Sequence, residues 1–434
     1  MKDIFLKRLS NKLDCPFLFL VVAVTGWAGA VDAKEVYIQP SISVKAEYDD
    51  NKRLRTTRAE GFDTSSYGVI TRAKAKAGVR SSQYDLEVNN QIVINRYESD
   101  FDLDSEDYFL DFSAGYNFSE KSRLGLSADY KLDTTLSSEL QSDGTGIVEQ
   151  DNIRRQQWSI TPNWVYSLSA TQYIQSSYTH SDVDYAESEV GGFVDYTIDN
   201  ISLSFNQQWT EALSNNLSIS AMSFDIPEIN TRQINPLTGK ELINSRETTE
   251  YTINIGAEYQ IAPTWSTSLS VGQRFTSAEE TRNEFKLDTR RFEKVNTSSD
   301  AQGLIFSFAL NKQFETGSAD ISYSRSTNAQ GDGVLVVNDS FIANYQHRLS
   351  QVLLFSVKGE LLERSTSGSE DDNNGRTYFS IRPVVKWWFD SQVSLTASYQ
   401  YRTQNFERDN SEGISNSISL NFNYQWGKTA TQRY

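Results

Sequence analysis

The chain has 434 residues, a formal net charge of −16, 38% hydrophobic and 12% aromatic residues, and a mean hydropathy of −0.53. Its acidity argues against a nucleic-acid partner, and past the leader no stretch approaches the ~20 consecutive apolar residues of a membrane helix. Tyr and Phe are abundant, Met and His number 2 each, and the polar spacers are Ser, Thr, Asn and Gln rather than helix formers, so the composition points to an all-β protein with few helices.

In chain order, a leader comes first. Lys2, Lys7, Arg8 and Lys12 precede the apolar run PFLFLVVAVTGWAGA (16–30), which ends in small residues. This is the pattern of a secretory signal peptide, with cleavage expected after Ala33, although Ala28-Gly29-Ala30 offers a second site. Cys15 lies before the apolar run and leaves with it, so residues 34–434 hold no thiol, disulfide or cysteine metal site. The leader carries four basic and three acidic groups, and removing that +1 from −16 leaves −17 on the remainder.

A first strand is expected over about 41–50. After it, Arg72, Lys74 and Lys76 alternate with Ala73, Ala75 and Ala77. The stretch YFLDFSAGYNF (108–118) puts Tyr108, Leu110, Phe112, Ala114, Tyr116 and Phe118 on one face, because alternate side chains of a strand point to opposite sides. The turn SEKS (119–122) and RLGLSADYKLD (123–133) complete a hairpin in matched register. The unit recurs, with short turns near 82, 120, 170, 213, 263, 316, 351 and 391. Longer polar loops lie near 52–66, 98–106, 134–151, 183–193, 228–248, 277–298, 327–335, 365–375 and 406–413. Arg382 and Lys386 alternate with Ile381, Pro383, Val385 and Trp387, and the last strand (about 414–427) sets Ile418, Leu420, Phe422, Tyr424 and Trp426 against Ser, Asn and Gln. The strand near 171–182 alternates poorly.

Eight hairpins with a first and a last strand make about eighteen strands, with sixteen the other count that the loose boundaries allow. Strands of 10–14 residues exceed the globular norm. Aromatics near their ends (Phe118, Trp158, Trp164, Tyr166, Trp209, Tyr259, Trp265, Trp387, Trp426) sit where a bilayer places its aromatic girdles. Charges on the opposite face cannot meet a dry core unpaired. The expectation is a single transmembrane antiparallel β-barrel in the outer membrane, with short periplasmic turns, long extracellular loops and a wet lumen. A soluble sandwich is the competing fold.

No catalytic constellation stands out. His180 and His347 lack metal-type spacing, and Asp49/Asp50 and Glu370/Asp371 read as solvated pairs rather than acid–base machinery. Loops 98–106 and 369–374 are acidic but lack the glycine and spacing of a calcium loop. No enzyme, metal or cofactor is expected. The informative set has lumen parity: Lys45, Arg72, Lys74, Lys76, Arg80, Arg123, Lys131, Arg155, Arg274, Arg348, Lys358, Arg382, Lys386 and Arg402, against Glu47, Asp85, Glu87, Asp111, Asp129, Glu258, Asp320 and Glu360. About half are expected to pair across neighbouring strands. The basic lean favours an anionic or polar solute, while lumen aromatics are scattered, such as Tyr378 and Trp388.

The stretch PSISVKAEYDDNKRLR (40–55), with an aromatic followed by Asp-Asp-Asn where the first strand ends, resembles the opening of the beta-barrel porins of the second type, an outer-membrane barrel family encoded with exopolysaccharide and capsule operons. The hairpin rhythm and the final YQW are similar too. The resemblance covers the mature chain and implies an eighteen-strand pore for polysaccharide export, working with a periplasmic polysaccharide export protein. Residues 418–426 resemble the signal read by the barrel assembly machinery, with the departure that GKTATQRY follows. The expected function is therefore a polysaccharide conduit; a diffusion porin for small sugars or anions and a structural or adhesive surface barrel are the alternatives.

Overall fold

The computed structural model describes residues 35–56, 64–98, 103–135, 153–186, 193–234, 241–286, 291–329, 335–366, 375–406, 411–427 and 429–431. The leader (1–33) and the acidic pair at 370–371 lie outside the described residues. In chain order the strands are β1 (Glu35–Asp49), β2 (Ser66–Arg80), β3 (Tyr84–Tyr97), β4 (Ser105–Ser119), β5 (Ser122–Thr134) and β6 (Arg154–Ser167). Then come β7 (Gln172–Tyr185), β8 (Tyr196–Gln208), β9 (Leu213–Ile234), β10 (Glu241–Ala262), β11 (Trp265–Lys286) and β12 (Arg291–Phe314). The chain continues through β13 (Gly317–Ala329), β14 (Leu335–Ser350), β15 (Leu353–Thr366), β16 (Arg376–Trp388), β17 (Val393–Phe406) and β18 (Ser411–Gln425), and a short β19 (Thr429–Thr431) follows.

Each strand pairs antiparallel with its sequence neighbour, and β1 pairs with β18 from Ser41↔Gln425 to Asp49↔Ser417, which closes the sheet. Eighteen strands at ~4.8 Å spacing and ~40° tilt make a cylinder about 35 Å across, backbone to backbone. β19 lies beyond the last barrel strand and pairs with the start of β1, Val36↔Thr431 to Ile38↔Thr429.

Side-chain parity sorts the wall. Ile201, Ile255 and Leu420 are 58%, 53% and 49% exposed, so the apolar face packs against no protein core. That surface suits hydrocarbon, and closure leaves no strand edge to desolvate. Tyr251 and Tyr259 bracket Ile253 and Ile255 on β10; at ~3.4 Å per residue and ~40° tilt they are about 20 Å apart in height, close to the usual apolar band. The outward tryptophans keep polar partners: Trp164 Nε1 donates to Ser122 Oγ at 2.9 Å and Trp209 Nε1 to Asn215 Oδ1 at 2.7 Å. Pro162 and Pro383, which lack an N–H, fall where the ladders of β6–β7 and β16–β17 each miss two pairings with the register unchanged on either side.

The short turns share a device. Ser81, Ser119, Thr210 and Asp390 each accept backbone N–H bonds from residues two and three ahead, such as Asp390 Oδ1 from Gln392 and Val393 at 2.7 and 2.8 Å.

The architecture differs from the sequence expectation in the longest strands. Positions 228–248 and 277–298 were expected as loops, yet β9 to β12 run 22 to 24 residues and keep their ladders well past the apolar band. There the apolar alternation of the sequence stops while the backbone pairing continues. β7 pairs regularly despite its weak alternation, because its outward face carries Ser176, His180 and Asp182 as well as Ile174 and Tyr178.

Candidate functional site: the lumen and its constriction

The inward face of β1 ends in Lys45, Glu47 and Asp49, and the chain then folds into the barrel rather than outward. Asn51 organises the bend: its backbone N–H donates to Asp49 Oδ1, its Nδ2 to the carbonyls of Arg55 and Ile414, and its Oδ1 accepts from Arg55 N–H, all at 3.0 Å. Leu54 takes the left-handed backbone conformation, φ 45°. A Cβ on Gly413 of β18 would lie 2.1 Å from the Leu54 carbonyl oxygen, so only glycine admits the segment there.

Two polar anchors fix the segment. Arg402 Nη2 donates to Asp49 Oδ2 at 2.6 Å and to Ser415 Oγ at 2.9 Å, and Ser415 Oγ donates to Asp49 Oδ1 at 2.8 Å. Asp50 accepts from the backbone and side chain of Asn416 at 2.6 and 3.0 Å. Beside them, Glu47 is shared by Lys45 and Lys52 and accepts from Tyr97 OH at 3.2 Å. Desolvation opposes the charge on Lys52, but Glu47 outweighs it and holds the ammonium above the ordinary lysine range. Leu54, 1% exposed, packs with Ile70, Val93, Tyr97 and Leu103 on one side and Leu362 and Tyr378 on the other. The segment therefore lies inside the β17–β18–β1 arc and joins β2–β3 to β15–β16 on one side of the lumen.

A second apolar cluster joins Ile153, Val183, Tyr185, Phe193, Val194, Tyr196, Phe224 and Ile226 to Leu335 of β14. Both clusters lie toward the long loops, so the extracellular half is narrowed. Toward the short turns the wall is open and polar: a cavity of about 620 Å³ is lined by Asn206, Gln208, Asn216, Glu258, Ser268 and Asn311.

The strand pairings place Arg72, Lys74, Lys76, Arg123, Arg155, Arg274, Arg348, Lys358, Arg382, Lys386, Arg402, Glu258 and Glu360 on the inward face. Many are neutralised by neighbours. Lys76 Nζ lies 2.8 Å from Glu87, Arg123 Nη2 2.5 Å from Asp85 and Lys358 Nζ 3.0 Å from Glu360. Arg155 meets Asp133 through Nε and Nη2 at 3.0 and 3.1 Å, and Arg274 lies 3.6 Å from Glu250. Arg72, Lys74, Arg80, Arg348, Arg382 and Lys386 have no ion pair among the described residues. Ile418, Leu420, Phe422, Tyr424 and Trp426 share the outward face of β18 and its end.

Sequence reasoning missed several inward groups, namely Asp107, Asp133, Glu250, Lys52 and Tyr97. Lys52 lies in a loop and Asp107, Asp133 and Tyr97 near strand ends, where alternation has no apolar partner residues to set parity, while Glu250 lies within β10 at the edge of its apolar alternation. Asp49 and Asp50, expected as a solvated pair, are instead taken up by different partners, Asp49 buried against Arg402 and Asp50 bound by Asn416. His180 faces outward, its Nδ1 2.8 Å from Asp199 Oδ1 and its ring 5.0 Å from Trp158; His347 stacks on Tyr345. Among the described residues no group of three His, Cys, Asp or Glu is placed to hold a metal.

No protein-family model matches the chain, and no curated protein does. Among solved structures it is similar to the ferric-catecholate import receptor Fiu of E. coli K12 in its open form (10% identity, 89% of this chain and 81% of that one, TM-score 0.46). It is also similar to OccAB4 of Acinetobacter baumannii (10% identity, 90% and 98% covered, TM-score 0.44) and to OccK5 (OpdH) of Pseudomonas aeruginosa (8% identity, 91% and 99% covered, TM-score 0.45). Likeness at this level assigns no residue a role.

On its own geometry the chain is an outer-membrane β-barrel: an even-stranded closed sheet, apolar and aromatic outside, polar inside. Its environment is a lipid bilayer, and its lumen is that of a pore narrowed at the extracellular end.

Proposed function

We propose that this barrel is an export conduit for exopolysaccharide or capsular polysaccharide, delivered from the periplasm by a polysaccharide export protein. The observation that carries the reading is the wall that begins at the periplasmic mouth, rich in hydroxyl and amide groups and open to a cavity of about 620 Å³, below a constriction made by a wall-anchored segment. Such a wall exchanges hydrogen bonds with sugar hydroxyls without holding them at one point. A narrowed exit suits a pore that must limit the leak of small solutes between polymers. Residues 1–33 serve as the secretory leader, and the outward row from Ile418 to Trp426 serves as the signal for the barrel assembly machinery. In this reading the chain acts as a pore and performs no chemistry, and of its candidate acid–base carboxylates Asp49 and Asp50 are committed to holding the constriction.

The competing reading, a diffusion porin for small sugars or anions, draws on the same cavity, which has the volume of a small saccharide. Deleting the gene separates the two. A conduit predicts loss of surface polymer with cytoplasmic precursors retained, and purified protein in planar bilayers with little conductance for small ions. Normal polymer secretion in the deletion strain, or an open small-solute channel at rest, contradicts the export reading.

A further inference from the structure

Of the six cations left without carboxylates, Arg80 stands at the end of β2 and Arg348 on β14, while the other four face one arc of the wall. Arg72 and Lys74 sit on β2, and Arg382 and Lys386 on β16. Between those strands lie only β17, β18 and β1. Two lines of paired residues cross this arc. One runs Arg72, Ser43, Asn423, Ser394, Trp388; the other runs Lys45, Asn421, Thr396, Lys386. Arg72 and Trp388 are thus four strand steps apart, about 19 Å along the sheet. The arc is a trough with a hydroxyl and amide floor, cations on both sides and an indole at one edge, where Lys386 Nζ stands 4.7 Å from the Trp388 ring centroid.

The neighbours of these cations make their lack of partners informative. Arg72 stands opposite Ser43 and Val93, Lys74 opposite Ser41 and Gln91, and Lys386 opposite Leu354 and Thr396. None of these neighbours is a carboxylate, whereas Lys76 and Arg123 reach Glu87 and Asp85 diagonally across the wall. Arg382 is directly opposite Lys358, which takes Glu360 for itself, so Arg382 is left with a cation across the strand and no carboxylate of its own. The next carboxylate along β1, Glu47, is already shared by Lys45 and Lys52. A wall built only for hydration gains nothing from cations that lack carboxylates, whereas an anion-binding wall needs them.

We propose that this trough binds a polysaccharide carrying repeated anionic groups. Its hydroxyls rest on the Ser, Thr and Asn floor and a ring face lies against Trp388, while its carboxylates or sulfates take the rows Arg72–Lys74 and Arg382–Lys386. The proposal rests on the export reading for its physiological meaning, but the binding is a property of the trough alone. Because the whole chain is strongly acidic, a polyanion has no general attraction to it and must find a local site.

The test uses the full chain in detergent, immobilised, with polygalacturonate, dextran sulfate and neutral dextran as probes at matched length. The trough predicts binding of at least one polyanion, no comparable binding of dextran, and weakening with salt. It predicts at least a tenfold loss of affinity when Arg72→Gln, Lys74→Gln, Arg382→Gln and Lys386→Gln are combined. Arg123→Gln, which removes a cation already paired to Asp85, leaves the affinity within about twofold. Whichever polyanion binds tighter identifies the anionic group. Circular dichroism confirms that the fourfold variant keeps its barrel, and this is expected because no ion pair is removed. Dextran binding as tightly as the polyanions, or a folded fourfold variant binding undiminished, overturns the proposal. A deletion strain that still secretes polymer would sink the export reading and leave the measured binding intact. Failed binding alongside lost secretion would sink the trough alone.

Discussion

Arg402→Ala should open the barrel. Arg402 and Asp49 are 4% and 1% exposed at their side chains, and the guanidinium bridges Asp49 to Ser415 at the root of the inward segment. Removing one member of a buried ion pair leaves the other uncompensated, at a cost of about 3–5 kcal/mol. The barrel wall has eighteen strands of ladder to resist this, whereas the segment from Asp50 to Arg55 has a few hydrogen bonds and Leu54. The loss is therefore expected as local release. Leu54 should leave its cluster, single-channel conductance in planar bilayers should rise several-fold, and a protease should cut near residues 50–56 of the variant while sparing the parent. Arg402→Lys should rescue poorly, because an ammonium cannot reproduce the guanidinium fork. Unchanged conductance in a folded Arg402→Ala protein would show that the segment does not narrow the path.

The second large effect separates the two faces at adjacent residues. Ile255 is 53% exposed on the outward face of β10, midway between Tyr251 and Tyr259, while Asn254 faces inward opposite Ser218 and Gly272. Ile255→Arg should destabilise the barrel by about 2–4 kcal/mol, the cost of an arginine near the bilayer midplane. Asn254→Arg should cost less than about 1 kcal/mol, since its charge enters the wet lumen. Denaturant titration in lipid vesicles gives both numbers. Equal effects at the two positions would mean that the faces do not divide lipid from water.

The barrel was legible because lipid imposes a rule on every second residue. Strands such as 108–118 and 418–426 show it without help, and the turn residues Ser119 and Asp390 mark where it pauses. The extended tips of β9 to β12 were not legible, because above the bilayer both faces are polar and pairing leaves no mark on composition. Inward parity of Arg72, Lys74, Arg382 and Lys386 followed from the alternation. Which cations keep carboxylate partners did not, since that depends on register with strands far away in sequence. The constriction shows the limit most clearly. Tyr48-Asp49-Asp50-Asn51 stands out as a short motif, but its work is done against Arg402, Gly413, Ser415 and Asn416, more than 350 residues along the chain and adjacent only once the sheet closes.

The most direct test of lipid outside and water inside is a cysteine walk along β18. With Cys15→Ser as background, single substitutions from Ile418→Cys to Tyr424→Cys are placed in the chain, reconstituted in liposomes and exposed to a membrane-impermeant maleimide. The account predicts alternation: Ser419→Cys, Asn421→Cys and Asn423→Cys label, while Ile418→Cys, Leu420→Cys and Phe422→Cys are protected. Uniform labelling, or labelling of the apolar positions instead, would contradict it.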